Sequence, residues 1–149
     1  MKHYIGCKLI EAELALRING EVVQQEGDYI DIPPEATVEE GYRVRYPDGY
    51  ESWSPKEVFE QAYFEVRENK SLPSGVSIGE EMVDEFICSI ETFTISPCTT
   101  LVYCTLRNGF TITESSACVD PKNYDEKVGE QLCMKKIKSK NWYHLGFLL

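Results

Sequence analysis

Three turn signals constrain this chain more than anything else in it: Asn19-Gly20, Asp48-Gly49 and Asn108-Gly109. An Asx-Gly pair between alternating residues closes two antiparallel strands, because Gly takes positive φ without strain. Around the second signal, Tyr42, Val44 and Tyr46 alternate with Arg43 and Arg45, and Pro47-Asp48-Gly49 supplies the turn. Ser54-Pro55-Lys56-Glu57 then predicts a helix start, with Ser54 as N-cap, Pro55 as first helical residue and Glu57 closing a capping box. Around the third signal, the run Leu101 to Leu106 and the run Phe110 to Thr113 predict a hairpin with a type I′ turn.

The remaining elements follow from periodicity. The chain begins with a strand-like alternation, Ile5, Cys7, Leu9, and residues 24–40 read as a long loop or a meandering strand. A short helix is predicted at about 55–63, with Val58, Phe59, Ala62 and Tyr63 on one face, and Phe64 to Val66 as a return strand. Residues 67–76 are polar with Pro73 and Gly75 and read as a linker. Ser77 is placed to cap a second helix through Val83, Phe86, Ile87 and Ile90. Strands follow at about 92–96, 100–106 and 110–114. A last long helix starts at Asp120-Pro121 or Asn123, with Val128, Leu132 and Ile137 on one side. The fold class is therefore α+β: antiparallel β hairpins with short helices, in two small modules packed together. The modules are residues 1–66 and 77–149.

Charge and cysteines narrow the function. The net charge is −10, distributed as −8 through Val66, −5 from Arg67 to Asp120 and +3 from Pro121 onward. Such a surface repels phosphate at long range, so nucleic acid is not an expected partner. The basic terminal helix reads either as a solvated face or as a weak polyanion grip. No apolar run is long enough to span a bilayer and the start lacks a signal-peptide core, which places the protein in a cytoplasm. Cys7, Cys88, Cys98, Cys104, Cys118 and Cys133 form no Cys-x-x-Cys pair and read as buried free thiols, with no metal or cofactor expected. The apolar end, Trp142-Tyr143-His144-Leu145-Gly146-Phe147-Leu148-Leu149, either docks on the sheet or buries itself against another subunit, and a homo-oligomer is expected.

Catalysis is not expected. His3 and His144 are the two histidines, one near the start and one in the apolar end, and no phosphate loop, nucleophile elbow or zinc-protease motif is present. A nucleotide-binding site needs phosphate donors, a plane for the base and exclusion of water. The helix starts at Ser54-Pro55 and Asp120-Pro121 offer backbone N–H groups. Tyr50 and Trp53 could stack a base. Arg43 and Arg45 share a hairpin, and Arg107 and Asn108 sit at another turn. Each has a plainer reading: Trp53 as a core aromatic over the helix start, the two arginines as a solvated strand face, Asn108 as a turn residue.

Two stretches resemble known families. Tyr4-Ile5-Gly6-Cys7-Lys8, with the block from Asp48 to Phe59, resembles the N-terminal module of small phage counter-defence proteins. The nearest named relative is the phage anti-Thoeris sponge family, which sequesters cyclic ADP-ribose signals. This likeness covers about residues 4–66. The chain lacks that family's helical hairpin, so no binding residue is carried over. Thr105 to Ile112, Ser116-Ala117-Cys118-Val119-Asp120-Pro121, Asn123-Tyr124-Asp125 and the ending Leu145-Gly146-Phe147-Leu148-Leu149 resemble the gene-product-forty-nine-like phage family, over about 75–149.

The resemblances imply a phage protein in the host cytoplasm that sequesters a host cyclic nucleotide immune signal, of the Thoeris or CBASS kind, without hydrolysing it. The ligand-binding candidates are Arg43, Arg45, Tyr50, Trp53, Ser54, Arg107 and Asn108. The alternative is an acidic phage inhibitor that binds a host nuclease, restriction or CRISPR effector directly.

Overall fold

The computed structural model describes residues 1–3, 6–24, 32–67 and 69–149. The chain divides into two compact units, Met1–Glu65 and Val66–Leu149.

In the first unit, β1 (Glu11–Ile18), β2 (Glu21–Gln24), β3 (Val38–Arg45) and β4 (Glu51–Pro55) form an antiparallel sheet in the order β2-β1-β3-β4. Asn19 and Gly20 both take positive φ, 50° and 90°, the signature of a two-residue type I′ turn. The strand begins at Glu11 rather than near Ile5; Tyr4 and Ile5 lie outside the described residues. Of the stretch 24–40, residues 25–31 also lie outside them, and Val38 onward is strand. Helix α1 (Lys56–Ala62) starts one residue later than predicted. Strand β4 runs through Pro55, which takes the N-cap position, so Ser54 caps nothing. The strand pairing Gly41↔Pro55 and Tyr42↔Ser54 holds both residues extended, and that overrides the capping preference. Phe64 to Val66 form no strand. The core is thin: Ala15, Gly41 and Val44 are buried. A stack of Tyr42, Phe59 and Tyr63, with centroids 4.2 and 4.8 Å apart, fixes α1 to the sheet.

The second unit has α2 (Glu80–Glu85), then β5 (Ile87–Ser96), β6 (Thr99–Leu106) and β7 (Thr111–Ala117) as an antiparallel meander, and helix α3 (Glu126–Leu148). Helix α2 is shorter than predicted. Gly79, not Ser77, is its N-cap, and Ile87 and Ile90 belong to β5. The apolar spacing fits a helix, but these β-branched residues pair with Leu106 and Cys104 across the ladder.

Along β6, Thr100, Val102, Cys104 and Leu106 are buried while the intervening side chains are less so, and α3 packs across that face. The buried residues of α3 are Gly129, Cys133, Ile137, Asn141 and Leu145, a strict four-residue ridge. Val128 and Leu132, read as lying on one side with Ile137, are 52% and 45% exposed, whereas Ile137 is buried. Gly129 decides this. A Cβ there would stand 2.7 Å from the Thr100 Cβ, so the glycine lets the helix approach the sheet at that position and no bulkier neighbour can. Asn141 Nδ2 donates to the Val83 carbonyl at 2.8 Å, one of the last carbonyls of α2. The helix starts at Glu126, after a 3-10 turn at Pro121–Asn123.

The hairpins at Asp48 and Asn108 share one design. Gly49 N–H donates to Tyr46 O and Gly109 N–H to Leu106 O, both at 2.8 Å; Tyr46 N–H donates to Tyr50 O and Leu106 N–H to Phe110 O. Each glycine is left-handed, at 84° and 82°. Asp48 Oδ1 accepts from Tyr50 N–H and Asn108 Oδ1 from Phe110 N–H. Positive φ is confined to the glycine, so Asn108 sits in a three-residue loop and not in the type I′ turn predicted.

Gly129→Ala should destabilise the second unit by about 1–3 kcal/mol through overpacking against Thr100. Chemical denaturation of the full chain, followed by far-ultraviolet circular dichroism, checks this.

Candidate functional site

Strand alternation sorts the candidate residues of the first unit onto two faces. Arg43, Arg45 and Trp53 share one face with Glu11, Glu13, Arg17, Glu39 and Glu51, as the registers Glu11↔Arg45↔Glu51 and Glu13↔Arg43↔Trp53 require. Tyr50 and Ser54 belong to the other, where Tyr50 stacks on Tyr46 at 5.8 Å.

On the first face, Trp53 is an anchored structural ring. It lies across Gly41, where a Cβ would come within 2.5 Å of the indole. Its Nε1–H points at Ala15 O, 3.5 Å away, and the Arg17 guanidinium covers it at 4.1 Å. Arg17 in turn pairs with Glu39 at 2.6 Å. Trp53 therefore roofs the buried Ala15 and Gly41. Arg43 holds Glu51 at 2.7 Å and Glu13 at 3.5 Å. Arg45 holds Glu51 at 3.0 Å and Glu11 at 3.5 Å. Hydrogen bonds from Arg43 and then Arg45 favour the charged form of Glu51 and lower its pKa. Both arginines thus neutralise carboxylates of their own sheet, and the ladder presents alternating charge.

The starts of the 3-10 turn and of α3 are occupied by the chain's own carboxylates, whereas the start of α1 is not capped by a side chain. Ser54 Oγ–H donates to Pro55 O at 3.5 Å, and α1 has no side-chain cap. Asp120 accepts from Lys122 N–H, and Asp125 accepts from Lys127 and Val128 N–H, so carboxylates already sit where an anion would bind. Asn108 is spent on its Asx turn, and the Arg107 N–H donates to Phe86 O at 2.9 Å. Arg107 and Asn108 lie in the second unit, so the seven candidates divide between two faces of one unit and a turn of the other.

A different constellation emerges beside the Asp48 turn. An open cleft of about 640 Å³ is lined by Cys7, Lys8, Tyr46, Pro47, Asp48 and Tyr50. Tyr46 is held from both sides: the Tyr63 hydroxyl meets its hydroxyl, and the Lys8 ammonium lies 5.4 Å over its ring. Tyr50 is 64% exposed. The cleft thus offers an exposed aromatic face, a flexible cation and a carboxylate. Of these residues the sequence reading singled out Tyr50 alone. Tyr46 was legible as the last of the alternating series, whereas Lys8 reaches the turn only through the tertiary fold.

In the second unit, a groove of about 540 Å³ lies between α2 and α3, with Val83, Lys138 and Trp142 among its walls. The lysines of α3 largely serve the unit itself: Lys138 pairs with Asp84 at 2.7 Å, and Lys136 and Lys140 both engage Glu114. No helix among the described residues is long and apolar enough to cross a membrane.

The second unit is a small α+β module, a three-stranded antiparallel meander crossed by one long helix. Residues 78–149 match the model of the Phage protein (N4 Gp49/phage Sf6 gene 66) family, which supports a phage protein of the gp49-like family. No curated protein and no solved structure matches the chain.

Two outcomes test this face. Gly41→Ala should displace the indole and shift Trp53 emission to longer wavelength, measured in a Trp142→Phe background. A carboxyl with a lowered folded pKa contributes stability that is full above its unfolded value and is lost as pH falls through the folded one. Glu51→Gln should therefore flatten the fall in stability below the ordinary carboxylate range of about 4–4.5, read from melting temperatures across that range.

Proposed function

We propose that this phage protein acts by binding, sequestering a host cyclic nucleotide signal at the Tyr46–Tyr50 cleft of the first unit. The observation that carries the reading is the exposed Tyr50 ring, stacked on Tyr46 beside Lys8 and Asp48. A nucleotide presents three chemistries: a flat base, sugar hydroxyls and phosphate. An aromatic face takes the first, by stacking worth about 1–3 kcal/mol per base. The Asp48 carboxylate is an acceptor for hydroxyls, and Lys8 supplies the charge for phosphate. Arg43 and Arg45 move out of the binding set, because each already holds two carboxylates. A direct inhibitor that imitates nucleic acid is less well supported. Glu11, Glu13, Glu39, Glu51, Glu81, Asp84 and Glu85 are all ion-paired, which weakens any phosphate-like array.

A thermal-shift screen against cyclic dinucleotides, cyclic trinucleotides and cyclic ADP-ribose isomers tests the reading. At ligand one hundred-fold above Kd, binding to the native state adds about 2.7 kcal/mol, a rise of several degrees in Tm. Mass spectrometry should recover the ligand intact after denaturation. Tyr50→Ala should abolish the shift and leave the unliganded Tm within about a degree, since the ring is largely exposed. Arg43→Ala should keep the shift. No shift with any ligand would overturn the proposal and favour a host-protein target; a hydrolysed ligand would make the protein an enzyme.

A further inference from the structure

The six thiols are not equivalent. Cys104 and Cys133 are buried, Cys7 and Cys88 are exposed, and Cys98 and Cys118 are half-buried, so the expectation of six buried thiols holds for two of them. Cys98 and Cys118 also face each other. Thr99 pairs with Ala117 at the end of the β6–β7 ladder, and Cys98 and Cys118 are the next positions outward. The Cys118 N–H donates to Cys98 O at 2.9 Å, which continues the ladder through them. Residues directly opposite in an antiparallel pair have Cα atoms about 4.5–5.5 Å apart and side chains on one face. That separation lies within the disulfide range of about 4.4–6.8 Å. The two thiols are in hydrogen-bond contact, and Cys118 Sγ–H also donates to Asp120 O at 3.2 Å. Among the described residues no group of three or more His, Cys, Asp or Glu is disposed to hold a metal, so the pair is a dithiol without further ligands.

We infer that Cys98 and Cys118 form a thiol–disulfide exchange site whose chemical partner is a small-molecule disulfide such as oxidised glutathione. The Cys118 Sγ–H is engaged by the Asp120 carbonyl, so the first attack falls to Cys98. The Cys98 thiol loses its proton and attacks one sulfur of oxidised glutathione. The S–S bond of that molecule breaks, one glutathione leaves and takes up a proton, and a mixed disulfide remains on Cys98. Cys118 then loses its proton, attacks the Cys98 sulfur and expels the second glutathione. Two protein thiols are oxidised to one disulfide, and one glutathione disulfide is reduced to two thiols. The new bond closes the end of the hairpin opposite the Arg107-Asn108-Gly109 turn. It also fixes the strand exit that leads through Asp120, whose carboxylate caps the turn before α3.

The full-length protein is equilibrated in glutathione buffers from fully reduced to fully oxidised, free thiols are alkylated, and intact and peptide masses are read. The expected result is a mass lower by about 2 Da with two thiols protected, and a peptide joining Cys98 to Cys118. Cys118→Ser should instead trap a glutathione on Cys98, with circular dichroism confirming that the variant is folded. The proposal is overturned if the wild type carries only mixed glutathione adducts, if the cross-link uses Cys7 or Cys88, or if both thiols stay alkylatable in the fully oxidised buffer.

Discussion

The contact of Gly129 with Thr100 governs the second unit. A Cβ at Gly129 would collide with Thr100, so the bare glycine lets α3 sit close on the sheet there and sets the rotation of a helix 23 residues long. Once Gly129 faces Thr100, the four-residue ridge carries Cys133 toward the Thr100 carbonyl and Asn141 onto the buried carbonyl of Val83 near the end of α2. Thr100 is drawn into the same junction from the other side, its hydroxyl bonded to Tyr124 at 2.9 Å just ahead of the helix. Thr92 Oγ1–H donates to Glu130 at 2.6 Å, and Lys136 donates to the Ser115 carbonyl at 2.8 Å, so polar bonds flank the buried seam. Val128 and Leu132 remain outside because the ridge that fits the sheet is the one with small residues at its start.

The first unit solves a harder problem. Its described core is little more than Ala15, Gly41 and Val44, too small to hold a four-stranded sheet by apolar burial alone. The sheet gains a roof from Trp53, seated on the bare Gly41 backbone and covered by Arg17, and a flank from the Tyr42–Phe59–Tyr63 stack. The charge ladder of Arg43, Arg45, Glu11, Glu13 and Glu51 spans β1, β3 and β4, with each exposed pair contributing little by itself. Residues committed to these tasks are not at liberty to recognise a ligand. Among the described residues, the Asp48 turn offers a separate surface, where Tyr46 and Tyr50 stack and Lys8 lies over the Tyr46 ring.

Much of this was legible in the residues. Asn19-Gly20, Asp48-Gly49 and Asn108-Gly109 each mark a turn, because left-handed backbone is easiest for glycine and an Asx side chain can bond the backbone two residues on. Alternation located β3, β6 and β7, and the α+β class followed. The signals that failed were those that tertiary pairing outweighs. Ser54 has the side chain of an N-cap but is held extended opposite Tyr42, and Ile87 and Ile90 have helical spacing but pair across the ladder.

The candidate site divides along the same line. Chemical type alone nominated Arg43, Arg45, Trp53 and Tyr50, and local sequence does determine that they lie on one hairpin. Which face each occupies follows from the two-residue period of a strand, and that too can be read from the chain. What each side chain meets cannot. Glu11 and Glu13 arrive from β1, Arg17 from the far end of the same strand and Lys8 from before it, and only the folded sheet brings these partners within ion-pair or ring distance. The sequence determined the hairpins, the class of fold and the inventory of groups. The tertiary structure decided which of those groups are spent on one another and which remain to meet a ligand, because pairing depends on distance in space across strands far apart in the chain.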